Sequence, residues 1–173
     1  SSVGGDVTAG AGNDDYFNNG TVAMNVDLGD GTNTVDLNGQ SNTIGNVTTG
    51  SGIDTVDNNG SIGGDLSVGE GNNTITLAGA SNIDGSVLAG AGNDSITGTS
   101  QVGGDVMAGA GNNTISFGTG SSVGGSVTAG AGDDDYTNDG FVGMGVDLGD
   151  GMNTADLGAN SDINGDFVTI LSL

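Results

Sequence analysis

Small β-branched residues recur at fixed distances from regularly spaced Gly-x-Gly triplets. The first glycines of the eight triplets are Gly10, Gly29, Gly50, Gly69, Gly90, Gly109, Gly130 and Gly149. Their spacing alternates between 19 and 21 residues, so the full repeat contains two slightly different coils. Self-similarity at such a period predicts a stack of similar units that share one core.

Three apolar columns accompany the triplets. Seven residues before each first glycine stand Val3, Val22, Thr43, Ile62, Ile83, Val102, Val123 and Val142. Three residues before it stand Val7, Val26, Val47, Leu66, Val87, Val106, Val127 and Val146. Six residues after it stand Tyr16, Val35, Val56, Ile75, Ile96, Ile115, Tyr136 and Ala155. Short alternating runs of this kind predict β-strands and not helices.

The pattern predicts an all-β fold, a parallel β-solenoid of about 8.5 coils. We expect two strands per coil, with the first two apolar columns on one strand and the third column on the other. Residues 1–160 form four double coils, and residues 161–173 begin a further half-coil that ends in an apolar tail. Thr43 lies in an apolar column beside Ile44, which predicts a β-bulge or a one-residue slip at the third level.

Composition excludes several function classes. The chain has 173 residues, with 22 Asp and Glu but no Lys, Arg, His or Cys, and a formal net charge of −22. Without cationic side chains we expect neither nucleic-acid binding nor electrostatic membrane attachment. No apolar run is long enough for a membrane span. Without His, Cys or Lys the usual nucleophiles and bases are missing, so we expect no enzyme and no small-molecule substrate.

A polar column follows each glycine triplet, and in it Asp and Asn alternate at every level. Its members are Asp14, Asn33, Asp54, Asn73, Asp94, Asn113, Asp134 and Asn153. In three of the Asn coils an acidic residue stands between the two glycines, namely Asp30, Glu70 and Asp150. A further acidic series, Asp6, Asp65, Asp105 and Asp166, is predicted to point outward from the first strand as solvated surface, with additional ion binding as the alternative.

The turns resemble those of the RTX (repeats-in-toxin) family. Residues 9–17 read A-G-A-G-N-D-D-Y-F and residues 89–97 read A-G-A-G-N-D-S-I-T. Both are similar to the RTX nonapeptide G-G-x-G-x-D-x-U-x, although its first glycine is replaced in every coil. The resemblance implies that glycines form tight turns, that backbone carbonyls and Asp carboxylates hold calcium between coils, and that the apolar U position packs inside.

The 19-residue coils look most like the RTX repeats of large bacterial adhesins, one module of which binds ice. The segment Val3-Gly4-Gly5-Asp6-Val7 resembles the second half of that repeat. However, the Thr of the adhesin sequence G-T-G-N-D is Ala, Asp, Ser or Glu in this chain. An ice-binding or spacer module is therefore the alternative function.

Charge supports a metal site in the polar column over the alternative of solvated turn residues. Two carboxylates one level apart repel by about 1 kcal/mol in water and about 3–4 kcal/mol at an effective dielectric near 20. A divalent cation between them reverses the sign. Because the donors are all hard oxygens, Ca²⁺ is favoured over Zn²⁺ or Cu²⁺.

The predicted cofactor is therefore several calcium ions per chain. The expected ligands are first Asp14, Asp54, Asp94 and Asp134, next Asp30, Glu70 and Asp150, and as supporting oxygens Asn33, Asn73, Asn113 and Asn153.

These features predict a secreted structural protein that folds on meeting calcium outside the cell. The apolar tail resembles the uncleaved signal of type I secretion substrates, and its alternative role is to cover the last coil or to clasp a neighbouring molecule. Uncapped solenoid ends expose strand edges. We therefore expect the partner to be a second copy of the chain, stacked head to tail into filaments, a matrix or a surface layer.

Overall fold

The computed structural model describes residues 1–171, and these residues form a parallel β-solenoid. Each complete coil contributes one short strand to each of three sheets, which we name A, B and C. Sheets A and B have nine strands and sheet C has eight. Neighbouring coils pair in parallel at a separation of 19 or 21 residues, as Val3 with Val22 and Val22 with Thr43. The predicted fold class is confirmed, and within residues 1–171 no helix is long and apolar enough to cross a membrane.

The strands of the three sheets alternate along the chain. Sheet A contains Ser2–Val3, Thr21–Val22, Asn42–Thr43, Ser61–Ile62, Asn82–Ile83, Gln101–Val102, Ser122–Val123, Phe141–Val142 and Asp162–Ile163. Sheet B contains Val7–Thr8, Val26–Asp27, Val47–Thr48, Leu66–Ser67, Val87–Leu88, Val106–Met107, Val127–Thr128, Val146–Gly151 and Phe167–Leu171. Sheet C contains Asp15–Asn18, Thr34–Leu37, Thr55–Asn58, Thr74–Leu77, Ser95–Gly98, Thr114–Phe117, Asp135–Asn138 and Thr154–Leu157.

The coil has three strands where the sequence predicted two. The segment between the first two apolar columns is not one strand, because the backbone bends there and passes from sheet A to sheet B. Small residues make this bend possible at a close approach between coils. A Cβ built on Gly63 would lie 2.4 Å from the carbonyl oxygen of Ile44, so a side chain at this position would collide with the coil below.

All three predicted apolar columns contribute to the core between the sheets. Val26, Val47, Ile75 and Ile96, for example, are fully buried. Two further columns share this core and were not predicted. One, directly before each triplet, contains Leu28, Thr49, Val68, Ala89, Ala108, Ala129 and Leu148. The other, eight residues after the first glycine, includes Leu37, Asn58, Leu77, Phe117 and Asn138.

The prediction of a bulge or slip at the third level is wrong. Thr43 pairs in register with Val22 below and Ile62 above, and its side chain is buried in the apolar column. Thr and Val have nearly the same shape, so the column continues, although the Thr43 hydroxyl has no hydrogen-bond partner. The neighbouring Ile44 points outward instead and is 55% exposed.

The glycine triplets bring the backbones of successive coils into direct contact. Gly69 has a φ of +73°, and a Cβ built on it would lie 1.8 Å from the carbonyl oxygen of Gly50. A side chain is therefore excluded by both conformation and space. Carbonyl oxygens of successive turns therefore form a continuous column beside the polar residue that follows each triplet.

Residues beyond 160 continue the stack. Asp162–Ile163 and Phe167–Leu171 pair with the preceding coil. The Phe167 ring packs against the Tyr136 ring, and the two ring centroids are 6.2 Å apart. The register shifts between Asp147 and Asp150 in this last pairing. Residues 172 and 173, the end of the predicted apolar tail, lie outside the described residues.

Candidate metal centre

The alternating Asp and Asn column lies inside the solenoid, directly before each strand of sheet C. We call it the inner ladder, with members Asp14, Asn33, Asp54, Asn73, Asp94, Asn113, Asp134 and Asn153. Its six central residues are at most 2% exposed, and only the outermost two are half-buried. Carboxylates are rarely buried to this degree unless they are paired.

Each level of the inner ladder is tied to the next through one side-chain oxygen. The backbone N–H at each level donates to the Oδ1 atom of the residue one coil above, for example from Asn73 to Asp94 at 2.8 Å and from Asp94 to Asn113 at 3.0 Å. Seven such bonds, of 2.8–3.0 Å, join the eight levels. Above the first level, every Oδ1 atom thereby accepts one backbone N–H from the coil below, whether it belongs to Asp or Asn.

The second terminal atom of each Asn is Nδ2, a hydrogen-bond donor that lies among carbonyl oxygens. The Nδ2 atom of Asn113 lies 3.2 Å from Gly109 O, 3.1 Å from Gly111 O and 3.2 Å from Ala129 O. Asn73 repeats this arrangement one double coil earlier. The carbonyl oxygens are thus satisfied by an amide wherever the ladder residue is Asn.

The second terminal atom of each Asp is an oxygen, which cannot donate when the carboxyl is ionised. The Oδ2 atoms of Asp14, Asp94 and Asp134 are buried and have no hydrogen-bond partner. Asp54 differs because its Oδ2 accepts a hydrogen bond of 2.8 Å from the buried Thr49 hydroxyl. An unpartnered buried charge is costly, so these carboxyl groups must either be protonated or lie beside a positive group.

Burial raises the pKa values of Asp54, Asp94 and Asp134, and hydrogen bonds from the adjacent Asn residues oppose this only in part. The carboxyl groups of Asp54, Asp94 and Asp134 therefore disfavour the ionised form in the absence of a cation. An ion beside them would remove this penalty.

The donor set around each Asp fits calcium. Beside Asp94, the positions equivalent to those that Asn113 uses are the carbonyls of Gly90, Gly92 and Ala108. Together with Oδ2 they supply only hard oxygen ligands, which Ca²⁺ prefers. Within residues 1–171 no three carboxylates cluster closely enough to hold a metal by themselves, so an ion here would depend on backbone oxygens.

The structure does not bring the acids between the glycines into the inner ladder. Asp30, Glu70 and Asp150 are exposed at the tips of the turns, whereas the ladder carboxylates are buried. Asp30 accepts hydrogen bonds from the hydroxyl and the backbone N–H of Ser51, which lower its pKa.

Three of the four acids of the predicted outward series, Asp6, Asp65 and Asp105, belong to a second ladder directly before the strands of sheet B. We call it the outer ladder, with members Asp6, Asn25, Asn46, Asp65, Ser86, Asp105 and Ser126. The side-chain oxygens of the first six members each accept the backbone N–H of the next member at 2.8–3.0 Å, and Ser126 ends the series as a donor. Its members are exposed or half-buried. They therefore have a structural role that the sequence analysis did not assign.

A flat hydroxyl surface on sheet C was also missed. We call it the hydroxyl face, with members Thr74, Thr76, Ser95, Thr97, Thr114 and Ser116. They occupy the outward positions of three consecutive strands and pair in register in two columns. The signal in the sequence is the alternation T-I-T, S-I-T and T-I-S.

No protein-family model matches the chain, and no curated protein sequence matches it. Among solved structures, the chain is similar to a hyperactive, Ca²⁺-dependent, β-helical antifreeze protein from an Antarctic bacterium. The TM-score is 0.66 at 23% sequence identity, over 96% of this chain and 59% of the length of that protein. The shared coil arrangement shows that this chain has the fold of a parallel β-solenoid.

Proposed function

We propose that the chain is a calcium-binding structural protein without catalytic activity, and that its solenoid folds when calcium binds the inner ladder. The observation that carries this proposal is the pair of unpartnered, buried Oδ2 atoms of Asp94 and Asp134. Both carboxylates directly follow a glycine turn, and the chain has no cationic side chain that could neutralise them.

Folding would be coupled to ion binding, because the site does not exist in the unfolded chain. At a net charge of −22, self-repulsion also opposes the compact state in the absence of ions. Extracellular calcium modules work at dissociation constants of about 10⁻⁴–10⁻³ M. A chain with such affinity would stay unfolded in the cytoplasm and fold after secretion.

Circular dichroism of calcium-free protein tests the proposal. Addition of millimolar calcium is expected to produce the β signal, whereas the same concentration of magnesium is expected to produce little, because Mg²⁺ loses its waters reluctantly. An equal response to both ions, at equal ionic strength, would indicate general charge screening and refute a calcium site.

Head-to-tail assembly of the folded rods into extracellular filaments, a matrix or a surface layer is the second part of the proposal. Within residues 1–171 the outermost strands of all three sheets pair on one side only. Val3 at one end is 44% exposed and Leu157 near the other is 47% exposed. Negative-stain micrographs in calcium should show filaments or sheets, and a strictly monomeric species at high protein and calcium concentration would refute assembly.

Ice binding is a second candidate function, supported by the hydroxyl face and by the antifreeze activity of the structurally similar protein. The six hydroxyl side chains are spaced by about 4.8 Å between coils and about 6.6 Å along each strand. A rigid array with two fixed repeats can order surface water into a lattice. Asp57 and Asp135 on the adjoining strands restrict the uncharged area to three coils.

Thermal hysteresis measurements test this second function. Thr97→Lys, at the centre of the hydroxyl face, should abolish the activity, whereas Thr128→Lys on sheet B should leave it unchanged. Absence of thermal hysteresis in the calcium-loaded protein would exclude ice binding.

A further inference from the structure

We infer that the Asn amides of the inner ladder take the place of calcium, so that the ladder binds cations only at its Asp levels. This inference rests on the proposed function, since it assigns the ions to alternate coils. It also gives the strict alternation of Asp and Asn a physical role.

Asp and Asn side chains are equivalent in the ladder. Asp and Asn have the same shape, and both have Oδ1 fixed by the N–H of the neighbouring coil. The second terminal atom therefore lies in the same place at every level above the first. At Asn levels that atom is a hydrogen-bond donor, and at Asp levels it is an acceptor without a partner in three of four cases.

The Asn amide is surrounded by carbonyl oxygens. The Nδ2 atom of Asn73 lies 3.3 Å from Gly69 O, 3.1 Å from Gly71 O and 3.3 Å from Ala89 O. These carbonyl oxygens would be ligands if a cation were present. Because the NH₂ group already satisfies them and would collide with an ion, the Asn level is closed to calcium.

The distance between neighbouring ions also favours alternate levels. Ions at every level would stand one coil apart, whereas ions at alternate levels stand two coils apart. Doubling this distance halves the Coulomb repulsion between neighbouring ions. Each Asn level then continues the hydrogen-bonded ladder without adding either a carboxylate or a cation.

This assignment departs from the sequence prediction of Asn33, Asn73, Asn113 and Asn153 as supporting oxygen ligands. Their Oδ1 atoms accept the backbone N–H of the coil below, and their Nδ2 atoms donate to carbonyls. The Nδ2 atom cannot bind a metal ion, and the Oδ1 atom is already held in place by a hydrogen bond. The Asn residues are positioning residues that maintain the ladder between ion sites.

An all-amide variant tests the inference. Asp14, Asp54, Asp94 and Asp134 are each replaced by Asn, which should put a donor at every level. The variant is expected to show the β signal in circular dichroism in excess chelator, and to lose the ions that wild-type protein binds at the ladder by equilibrium dialysis. The matched control replaces Asp6, Asp65, Asp105 and Asp166 by Asn, which removes the same number of charges from the outside.

The outcomes separate this inference from the proposed function. If wild-type protein is fully folded in chelator, calcium-coupled folding is wrong. If wild-type protein requires calcium and the all-amide variant is also unfolded in chelator, the proposed function stands and the inference fails. Folding of the outer control variant in chelator would show that the loss of charge alone is sufficient, which also overturns the inference.

A gain-of-site variant provides an independent readout. Asn73→Asp replaces an amide donor by a carboxylate at a level that we infer to be closed to calcium. It should bind one more ion than wild-type protein. An unchanged ion count in folded Asn73→Asp protein would contradict the inference.

Discussion

The inner and outer ladders both contain Asp and Asn side chains that accept backbone N–H groups from an adjacent coil at 2.8–3.0 Å. They differ in what surrounds the second terminal atom. In the outer ladder the side chains are exposed or half-buried, and water can reach them. In the inner ladder the central carboxylates are at most 2% exposed, and the second oxygens of Asp94 and Asp134 have no hydrogen-bond partner.

Burial, and not residue type, therefore determines which acidic column requires a cation. An Asp in the outer ladder loses little by remaining ionised, because surface charges are screened. An Asp in the inner ladder must be neutralised by an ion, a proton or a donor such as the Thr49 hydroxyl. The comparison predicts that equal substitutions in the two ladders have unequal effects.

The largest difference is expected for truncation of an Asn. Asn113→Ala removes an amide that donates to three carbonyls, and an oxygen that accepts the N–H of Asp94. The expected loss is about 2–4 kcal/mol of unfolding free energy. Asn46→Ala in the outer ladder removes one exposed bond, to the N–H of Asp65, and should cost less than about 1 kcal/mol.

Urea unfolding in saturating calcium measures both Asn variants under the same conditions. Equal losses of stability in the two variants would contradict the distinction between the ladders.

A smaller effect is expected from pH in calcium-free buffer. Burial raises the folded-state pKa of Asp54, Asp94 and Asp134 above the ordinary carboxyl value of 3.8. The ion-free fold therefore binds protons more readily than the unfolded chain does. Its stability should be greatest below about pH 3.8 and should be lost as the pH rises through the raised folded-state values.

Circular dichroism from pH 7 down to 4 should accordingly show a gain of β structure in calcium-free wild-type protein. The variant with the outer acids Asp6, Asp65, Asp105 and Asp166 replaced by Asn should keep this gain. The all-amide variant should show no such pH dependence, and an equal gain in that variant would assign the effect to net charge.

The smallest effect is expected at Thr49, whose hydroxyl is the hydrogen-bond partner of the Asp54 Oδ2 atom. Thr49→Ala leaves that oxygen like those of Asp94 and Asp134, and it should raise the calcium concentration needed for half-maximal folding. The control Thr48→Ala, one residue earlier on the outward side, should change stability by less than about 0.5 kcal/mol. A calcium titration followed by circular dichroism compares the two variants.

The sequence predicted the coil period, the three apolar columns and the stacking of polar residues after each triplet. It did not predict the bend between sheets A and B, because glycines such as Gly63 and Gly64 read as part of a strand until the close approach of the coil below is known. The extra core columns were missed because Ala89 and Thr49 are not distinctive apolar residues. Thr43 was misread because its hydroxyl suggested an irregularity that its shape does not require.

The inward direction of the inner-ladder side chains could not be predicted either. In a sequence, Asn and Asp after glycine are equally typical of solvated turns and of buried ladders. Only the closure of the coil shows that Asn73 and Asp94 point inward, whereas the outward direction of Asp65 was predicted. The different roles of amide and carboxylate follow from this direction.

The most direct test of the account is a crystal structure of the calcium-loaded protein with anomalous diffraction data that locate the ions. The account predicts anomalous peaks beside the Oδ2 atoms of Asp94 and Asp134, and none beside the Nδ2 atoms of Asn73 and Asn113. Peaks at the exposed acids alone, with the buried carboxylates free of metal, would contradict it.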